Sequence, residues 1–439
     1  MMKQSKLLVS VENKKIGELI FDPGEDKFYF NYDEQWKKNG FPLSPHLPLN
    51  GEINSAHMRR YLENQFPEGK GLEILLEEYR IGKSNTFRII QLIGNETTGA
   101  LRFSDPNQEL KQESGFREVS EDELLGRLNK RNELGLVMWD GKPRLSVAGV
   151  QDKLPMTVLP NGKMGFGEGT LASTHILKFQ KESTKIQFLV LNEYFCMKLA
   201  NAIKLATAEV QYKKIGPHPI LFVSRFDREL INDQLVKRIH VIDGCQALNL
   251  PSSYKYERNF GNAKDVRDIR DGATLKQIFE FIIQCQTPAA AILQTMNWMI
   301  FNLCISNVDS HAKNTSYFID QDGINPAPFY DLVNISIYPD LDQELAMSIG
   351  DEFNPVDVKA FQLRSFCEDC NIQPRIFVTQ LKKLGKRIIQ ELDRIEITSL
   401  RLNAKELKFI DDLKQNIRDR TEQLLDCVDE ILKMPATFR

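Results

Sequence analysis

Asn307-Val308-Asp309-Ser310-His311-Ala312-Lys313-Asn314 is the most informative segment of this sequence. It follows an apolar helical run at 289–305 and precedes a short strand at 316–319. An Asp followed five residues later by an Asn has the spacing of a phosphoryl-transfer loop. In such a loop the Asp accepts the proton of the attacking hydroxyl and the Asn holds Mg²⁺. Lys313 would counter phosphate charge. The octapeptide alone is also typical of a helix end followed by a polar turn.

The segment after this loop strengthens the first interpretation. Residues 317–319 alternate as a strand, Asp320-Gln321-Asp322-Gly323 has turn chemistry, and 324–330 can return as a second strand weakened by prolines. A hairpin brings its two ends together, so Asn314 and Asp331 should both lie beside Asp309. This predicts one proton acceptor and two Mg²⁺ ligands in one place, as transfer of the γ-phosphoryl group of ATP requires. The alternative is a chance hairpin with acidic ends.

Composition excludes several classes of protein. The 439 residues suffice for two or three domains, and a net charge of -3 argues against coating nucleic acid, although a small DNA-facing patch remains compatible. We expect no signal peptide, no membrane-spanning segment and a cytoplasmic location. Seven scattered cysteines fit a reducing compartment, and Cys367 and Cys370 are interpreted as structural thiols.

The pattern along the chain predicts a β-rich part followed by a helical part. We place domains at 1–105, 106–242 and 243–439, which gives an α+β, two-lobed arrangement with a β-rich N-lobe and an all-α C-lobe.

In the first domain, strands are predicted at 7–11, 17–21, 27–32 and 99–103 and helices at 59–65 and 72–79. The segment 105–132 is interpreted as a connection with one helix at 121–128. Further strands are predicted at 153–159, 164–166, 174–179, 220–226 and 236–242, and helices at 188–202, 374–395 and 404–432, while Thr287-Pro288 signals the start of another helix.

A nucleotide site needs groups that hold phosphates. Lys178 ends a predicted strand and Glu193 lies on the next helix, where an acid can fix a phosphate-binding Lys. Each residue alone is equally an exposed polar position. Their order with Asp309, Asn314 and Asp331 favours a kinase. The loop 146–153 contains one glycine, so it is not a Walker P-loop. From its residues alone it is interpreted as a plain loop.

These residues resemble the HipA family, the serine/threonine-kinase toxins of bacterial toxin–antitoxin pairs. Four blocks carry the resemblance: Ser146-Val-Ala-Gly-Val-Gln-Asp-Lys153, Thr174-His-Ile-Leu-Lys178, the stretch 307–314, and Tyr330-Asp-Leu332. Segment 248–257, with its Leu-Pro-Ser-Ser-Tyr-Lys-Tyr-Glu ending, and Pro45-His46-Leu47-Pro48-Leu49 are also similar. The Asp-x-His-x-x-Asn form is shared with phosphatidylinositol kinases, which implies a phosphatidylinositol 3/4-kinase-like fold.

The resemblance implies roles for individual residues. Asp309 would be the catalytic base, Asn314 and Asp331 the Mg²⁺ ligands, and Ser146 an autophosphorylated serine whose modification ejects its loop and disables ATP binding. The hinge at 223–227 would pair with adenine through the backbone at Arg225 and Phe226 or their neighbours. The other residues expected to contact ATP are Lys178, Glu193, Ala148, Gly149, Val150, Gln151, Lys153, His311 and Lys313. A nucleotide-contacting glutamine of the family is replaced near Val241 by an apolar residue, which weakens the expectation on the adenine side.

The resemblance also implies partners. These are a HipB-like helix-turn-helix antitoxin, operator DNA reached mainly through it, and a protein substrate that is usually an aminoacyl-tRNA synthetase. Self-inactivation at Ser146 and growth arrest with persistence would follow. Two other functions stay open: a kinase of a small molecule or lipid, and a non-catalytic co-repressor. The intact acidic set argues against the co-repressor, because a scaffold gains nothing from buried unpaired carboxylates.

Overall fold

The computed structural model describes residues 4–106, 114–136, 138–144, 152–181, 183 and 185–435. The chain divides into two compact units and passes between them several times. The first unit comprises Met1–Gln180, Lys213–Ile242 and Tyr317–Ile324, and the second comprises Lys181–Tyr212, Asp243–Ser316 and Asn325–Arg439. Within the described ranges, no helix combines the length and apolar character needed to cross a membrane. The division into three domains stays a prediction.

The chain opens with a four-stranded antiparallel sheet in the order β3-β2-β1-β4. Its elements are β1 (Ser5–Val11), β2 (Lys14–Asp22), β3 (Lys27–Tyr32), α1 (Glu34–Asn39), α2 (Ser55–Glu63), α3 (Lys70–Tyr79), α4 (Thr86–Ile93) and β4 (Leu101–Ser104). The predicted strands and both predicted helices of this region are confirmed, with shifted ends. Helices α1 and α4 were not predicted. Helix α1 buries none of its residues, so it lacks the apolar periodicity on which prediction depends.

A six-stranded sheet follows, in the order β11-β12-β10-β8-β9-β5. This part of the chain contains β5 (Gly115–Glu118), α5 (Glu121–Asn129), α6 (Arg131–Leu134), β6 (Met138–Trp139), β7 (Lys142–Pro143), β8 (Lys153–Val158), β9 (Met164–Glu168), β10 (His175–Phe179), α7 (Leu189–Ala202), β11 (Val210–Ile215) and β12 (His218–Ser224). An apolar core that includes Leu154, Leu177 and Phe222 packs against the sheet. Strand β5 was missed because it is short and has one large apolar residue, Phe116, and β11 because its alternation Val210-Gln211-Tyr212-Lys213 breaks at Lys214.

The strand predicted at 236–242 is wrong as one element. The structure has a separate hairpin of β13 (Arg228–Asn232) and β14 (Leu235–Arg238), followed by β15 (Val241–Asp243). Strand β15 is an edge of a three-stranded sheet in the order β15-β16-β17, with β16 (Ser316–Asp320) and β17 (Gly323–Pro326). Between β14 and β15 the Ile239 N–H bonds to the Asp227 carbonyl, so the chain changes partners there.

The second unit is mostly helical. Beyond α7 its helices are α8 (Gly244–Ala247), α9 (Leu275–Ile282), α10 (Pro288–Cys304), α11 (Ala360–Asp369), α12 (Pro374–Leu392), α13 (Ala404–Asp426) and α14 (Val428–Ile431). Helices α12 and α13 pack against α10, and α10 leads into the loop 307–314. The predicted start at Thr287-Pro288 is confirmed. The predicted helix at 404–432 is interrupted at Cys427, between α13 and α14.

The seven cysteines are all free thiols, five of them buried. Burial raises the pKa of the Cys367 thiol to about 12, so this thiol stays protonated at neutral pH. Because a protonated thiol is a poor nucleophile and metal ligand, the interpretation of Cys367 and Cys370 as structural residues is supported.

Candidate active site

The loop 307–314 lies between α10 and β16, and the end of α10 anchors it. The Asn307 side-chain amide donates to Asn302 Oδ1 at 2.8 Å, and the Asn307 N–H donates to the Asn302 carbonyl at 2.9 Å. Ser306, just before the loop, has φ of +51°, a conformation that few non-glycine residues adopt. The helix therefore stops sharply, and the loop leaves it in a fixed direction.

Within the loop the structure brings Asp309 and Asn314 together. The Asn314 Nδ2 donates to the Asp309 carbonyl at 2.9 Å, and the His311 N–H donates to the same oxygen. A short 3-10 turn, Ala312–Asn314, closes the loop. Asp309 is exposed, whereas Asn314 and His311 are buried. The five-residue spacing thus lets the buried Asn314 amide bond to the backbone of Asp309, whose side chain is exposed.

The predicted hairpin forms, and the chain after its second strand bonds to the loop 307–314 at Tyr330 and Asp331. Gly323 has φ of +131° in the turn, as the sequence indicated. After the second strand the Tyr330 hydroxyl donates to the Lys313 carbonyl at 2.6 Å, and the Asn307 Nδ2 donates to the Asp331 carbonyl at 3.3 Å. Asp331 itself has φ of +54°. Strained backbone of this kind persists where neighbouring contacts impose it, often at functional sites.

Lys313 pairs with an acidic residue of the second unit. Its ammonium lies 2.6 Å from Asp243 Oδ2, and the Lys313 side chain is only 4% exposed. Asp243 also caps α8 by accepting from the Gln246 N–H, and the Gly244 N–H donates to the Thr315 carbonyl. Lys313 therefore ties the loop to the start of α8. This pairing was not predicted, since 70 residues separate the partners.

A tyrosine that sequence reasoning did not single out contacts the candidate base. The Tyr256 hydroxyl donates to Asp309 Oδ1 at 2.7 Å. The Tyr256 ring meets the His311 ring edge to face, with 5.0 Å between the centroids. The one available signal was the family-like segment 248–257, which contains this residue.

The two residues proposed for the phosphate side lie in different units, and both are buried. Lys178 is 4% exposed on β10, a strand flanked by β8 and β12. Glu193 is 1% exposed on α7. The alternative of a solvated strand end or helix face is wrong for both residues. Lys153, which opens β8, is half-buried. Ser146, Ala148, Gly149, Val150 and Gln151 lie outside the described residues.

The hinge segment uses Arg225 for structure. Its N–H donates to the Thr174 carbonyl at 2.9 Å, and its guanidinium binds both oxygens of Asp227 at 2.9 and 2.7 Å. The Arg225 N–H is therefore committed within the first unit, which leaves the proposed adenine contact to Phe226 and its neighbours. Phe226 packs edge to face on Phe318.

A buried charge network surrounds Arg225 in the first unit. Asp227 also accepts from Arg228 and from the Gly99 N–H, each within 2.8 Å. Burial of Glu96 opposes its charge, but three guanidinium groups outweigh burial and lower the pKa of Glu96. They belong to Arg238, Arg228 and Arg225. Burial likewise opposes ionisation of Asp227, yet Arg225 and Arg228 hold its pKa well below the usual range. Both acids are therefore ionised at neutral pH.

The side-chain oxygens of Asn314 and Asp331 suit a hard cation that also binds water and substrate. Among the described residues there is no cluster of three or more His, Cys, Asp or Glu side chains able to hold a metal together. Asn314 and Asp331 offer one amide and one carboxylate. Mg²⁺ is commonly bound in this way, through one or two protein oxygens plus substrate phosphates and water.

Two family models match the chain. The HipA-like C-terminal domain covers residues 145–395, and the HipA N-terminal domain covers residues 7–104. The first of these spans more than half of the sequence. The chain belongs to the HipA family. Because it contains both domains in the family order, the resemblance drawn from the sequence motifs is confirmed.

Individual HipA relatives agree over nearly the full length. The serine/threonine-protein kinase toxin HipA of Shewanella oneidensis is 40% identical over 418 residues, which are 95% of each chain. The protein Y4mE of Sinorhizobium fredii is 30% identical over 393 residues, 85% of this chain and 90% of that one. A solved complex of HipA, HipB and operator DNA from Shewanella oneidensis contains a chain that matches with a TM-score of 0.89 and 38% identity. The match covers 98% of this chain and 100% of that one. The mixed α/β fold is therefore that of HipA.

Proposed function

We propose that this chain is a Mg²⁺- and ATP-dependent kinase that phosphorylates serine or threonine in a protein substrate. The observation that supports the proposal is that the loop 307–314 bonds to the backbone of both acids: Asn314 donates to the Asp309 carbonyl and Asn307 donates to the Asp331 carbonyl. A proton acceptor next to two oxygen ligands is the arrangement that phosphoryl transfer needs. The kinase name of the Shewanella HipA relative supports the same activity.

In the proposed reaction each residue has one task. Asp309 accepts the proton of the attacking hydroxyl through an exposed carboxylate. Asn314 and Asp331 would hold Mg²⁺ through oxygen, because the Asn314 nitrogen is used on the Asp309 carbonyl. When bound, the metal would neutralise charge on the phosphates of ATP. Lys178 would contact those phosphates, and Glu193 would fix the position of Lys178.

We extend the proposal to the finer features of the family. The fold would be a two-lobed, phosphatidylinositol-kinase-like one, and Ser146 would be an autophosphorylation site whose modification inactivates the enzyme. A HipB-like antitoxin would bind the chain and connect it to operator DNA, by analogy with the Shewanella complex. The protein target would be an aminoacyl-tRNA synthetase in the cytoplasm, and its phosphorylation would arrest growth.

The test is transfer of labelled γ-phosphate from ATP to proteins of a cell lysate. Wild-type protein should label a protein band in the presence of Mg²⁺. Asp309→Asn should lower the rate by about 10²–10⁴-fold, the usual contribution of a general base. Asp322→Asn is the matched control, since Asp322 is an exposed acid in the turn of the neighbouring hairpin, and it should transfer at the wild-type rate.

Two outcomes would contradict the proposal. One is a wild-type protein that transfers no phosphate, and the other is equal transfer by wild type and Asp309→Asn. Label that appears in a lipid or small-molecule fraction, with none in protein, would replace the substrate class while keeping the kinase chemistry.

A further inference from the structure

We propose that Tyr256 is a positioning residue for the catalytic base: its hydroxyl holds the carboxylate of Asp309 in the orientation that proton transfer needs. This role rests on the proposed kinase function. It adds to that function a group that lies 53 residues away in sequence and outside the loop 307–314.

The contact itself is short and directional. The Tyr256 Oη lies 2.7 Å from Asp309 Oδ1, at the length of a hydroxyl bond to an ionised oxygen. Rotation about the terminal bond of an Asp side chain is soft, and Asp309 is exposed. A donor fixed on one oxygen sets the direction of the other. Tyr256 can therefore define which face of the carboxylate meets the substrate hydroxyl.

The Tyr256 ring is fixed by the same loop that carries the base. Its edge-to-face contact with His311 joins it to a residue two positions after Asp309. On the ring face, the Lys255 ammonium lies 5.4 Å from the centroid, within the range of a cation–π contact. The aromatic ring and the base therefore form one packed unit.

The backbone around Tyr256 is also anchored on both sides. The Ala312 N–H donates to the Lys255 carbonyl at 3.1 Å, and the Glu257 N–H donates to the Ala346 carbonyl at 2.9 Å. A Cβ on Gly272 would lie 1.7 Å from the Tyr256 carbonyl oxygen, so only glycine permits this approach. These backbone contacts hold Tyr256 in place, and they support a fixed position of its hydroxyl next to Asp309.

The experiment compares Tyr256→Phe with wild type in steady-state phosphoryl transfer. Phenylalanine keeps the ring and its packing and removes only the hydroxyl. We expect kcat to fall at least about tenfold, because a misdirected base loses near-attack geometry. The KM for ATP should stay within twofold, since a merely structural defect would disturb both constants. A melting temperature equal to that of wild type verifies folding.

Tyr254→Phe is the matched control. Tyr254 lies on the same segment and, in the part of the chain that the structure describes, its hydroxyl makes no hydrogen bond to Asp309. This variant should keep the wild-type kcat.

Three results would overturn the proposal. An unchanged kcat in Tyr256→Phe would show that the bond does not matter, and a raised kcat would show that Tyr256 blocks the base. A raised KM for ATP at constant kcat would assign the residue to binding. An inactive wild type removes the kinase function and this role together, whereas an active wild type with equal kcat in Tyr256→Phe removes this role alone.

Discussion

At the scale of single residues, charge placement decides what each ionic group of this protein does. Lys313 and Arg225, both predicted to contact ATP, each pair with a carboxylate of the fold: Asp243 and Asp227. A motif predicts which residue types are present, but their partners come from distant parts of the chain. Which acid a basic residue pairs with therefore depends on the fold, and a local motif does not encode it.

Loss of the Asp227 charge should cost the first unit stability. Asp227→Asn removes the carboxylate that binds the buried guanidinium groups of Arg225 and Arg228 and leaves them with Glu96 alone as a nearby acid. Breaking one partner of a buried pair costs about 3–5 kcal/mol, and we expect a loss of this size in the free energy of unfolding, measured in urea.

Glu229→Gln provides the control for this change. It removes an acid of β13 that pairs with Lys237 on the surface, where both side chains are more than half exposed. Because water screens such a pair, the midpoint of unfolding should barely move. Equal effects of the Asp227 and Glu229 changes would contradict the account of the buried network.

At the scale of elements, the sequence predicted what periodicity and turn chemistry encode. Alternation identified β3, and turn residues identified the β16–β17 hairpin that places Asp331. In β11 the alternation is short, because it breaks at Lys214 after four residues. The contact between Tyr256 and Asp309 could not be predicted either, because no local pattern connects residues 53 positions apart.

The packing of α8 against the catalytic loop gives a prediction at this scale. A Cβ on Gly244 would lie 2.4 Å from the Ala312 carbonyl oxygen and 2.6 Å from Thr315 Oγ1. Gly244→Ala must therefore displace the turn that carries Asn314. We expect kcat for phosphoryl transfer to fall by about tenfold to a hundredfold, as misplacement of about 1 Å can do.

Gly126→Ala is the comparison for this substitution. Gly126 lies in α5, and among the described residues nothing lies within 4 Å of the added Cβ. Its kcat should match wild type, and its helix should be slightly stabilised. If Gly244→Ala were as active as Gly126→Ala, α8 would have no role in placing the loop.

At the scale of the whole molecule, the N-terminal region is more than an attached module. Glu96, Thr97 and Gly99 bond directly to the arginines and the aspartate of segment 225–228 within the first unit. Residues of both matched family domains therefore share one buried network. We attribute the stability of the proposed hinge partly to this network.

Calorimetric titration of a non-hydrolysable ATP analogue with and without Mg²⁺ tests whether the chain has a nucleotide site that includes a metal ion. The wild type should bind at least about tenfold more tightly with Mg²⁺, because Asn314, Asp331 and the phosphates share the ion. Asp331→Asn should abolish this difference, and Asp340→Asn, a change at an exposed acid further along the chain, should preserve it. Binding that is absent, or equally tight without Mg²⁺, would contradict the proposed site.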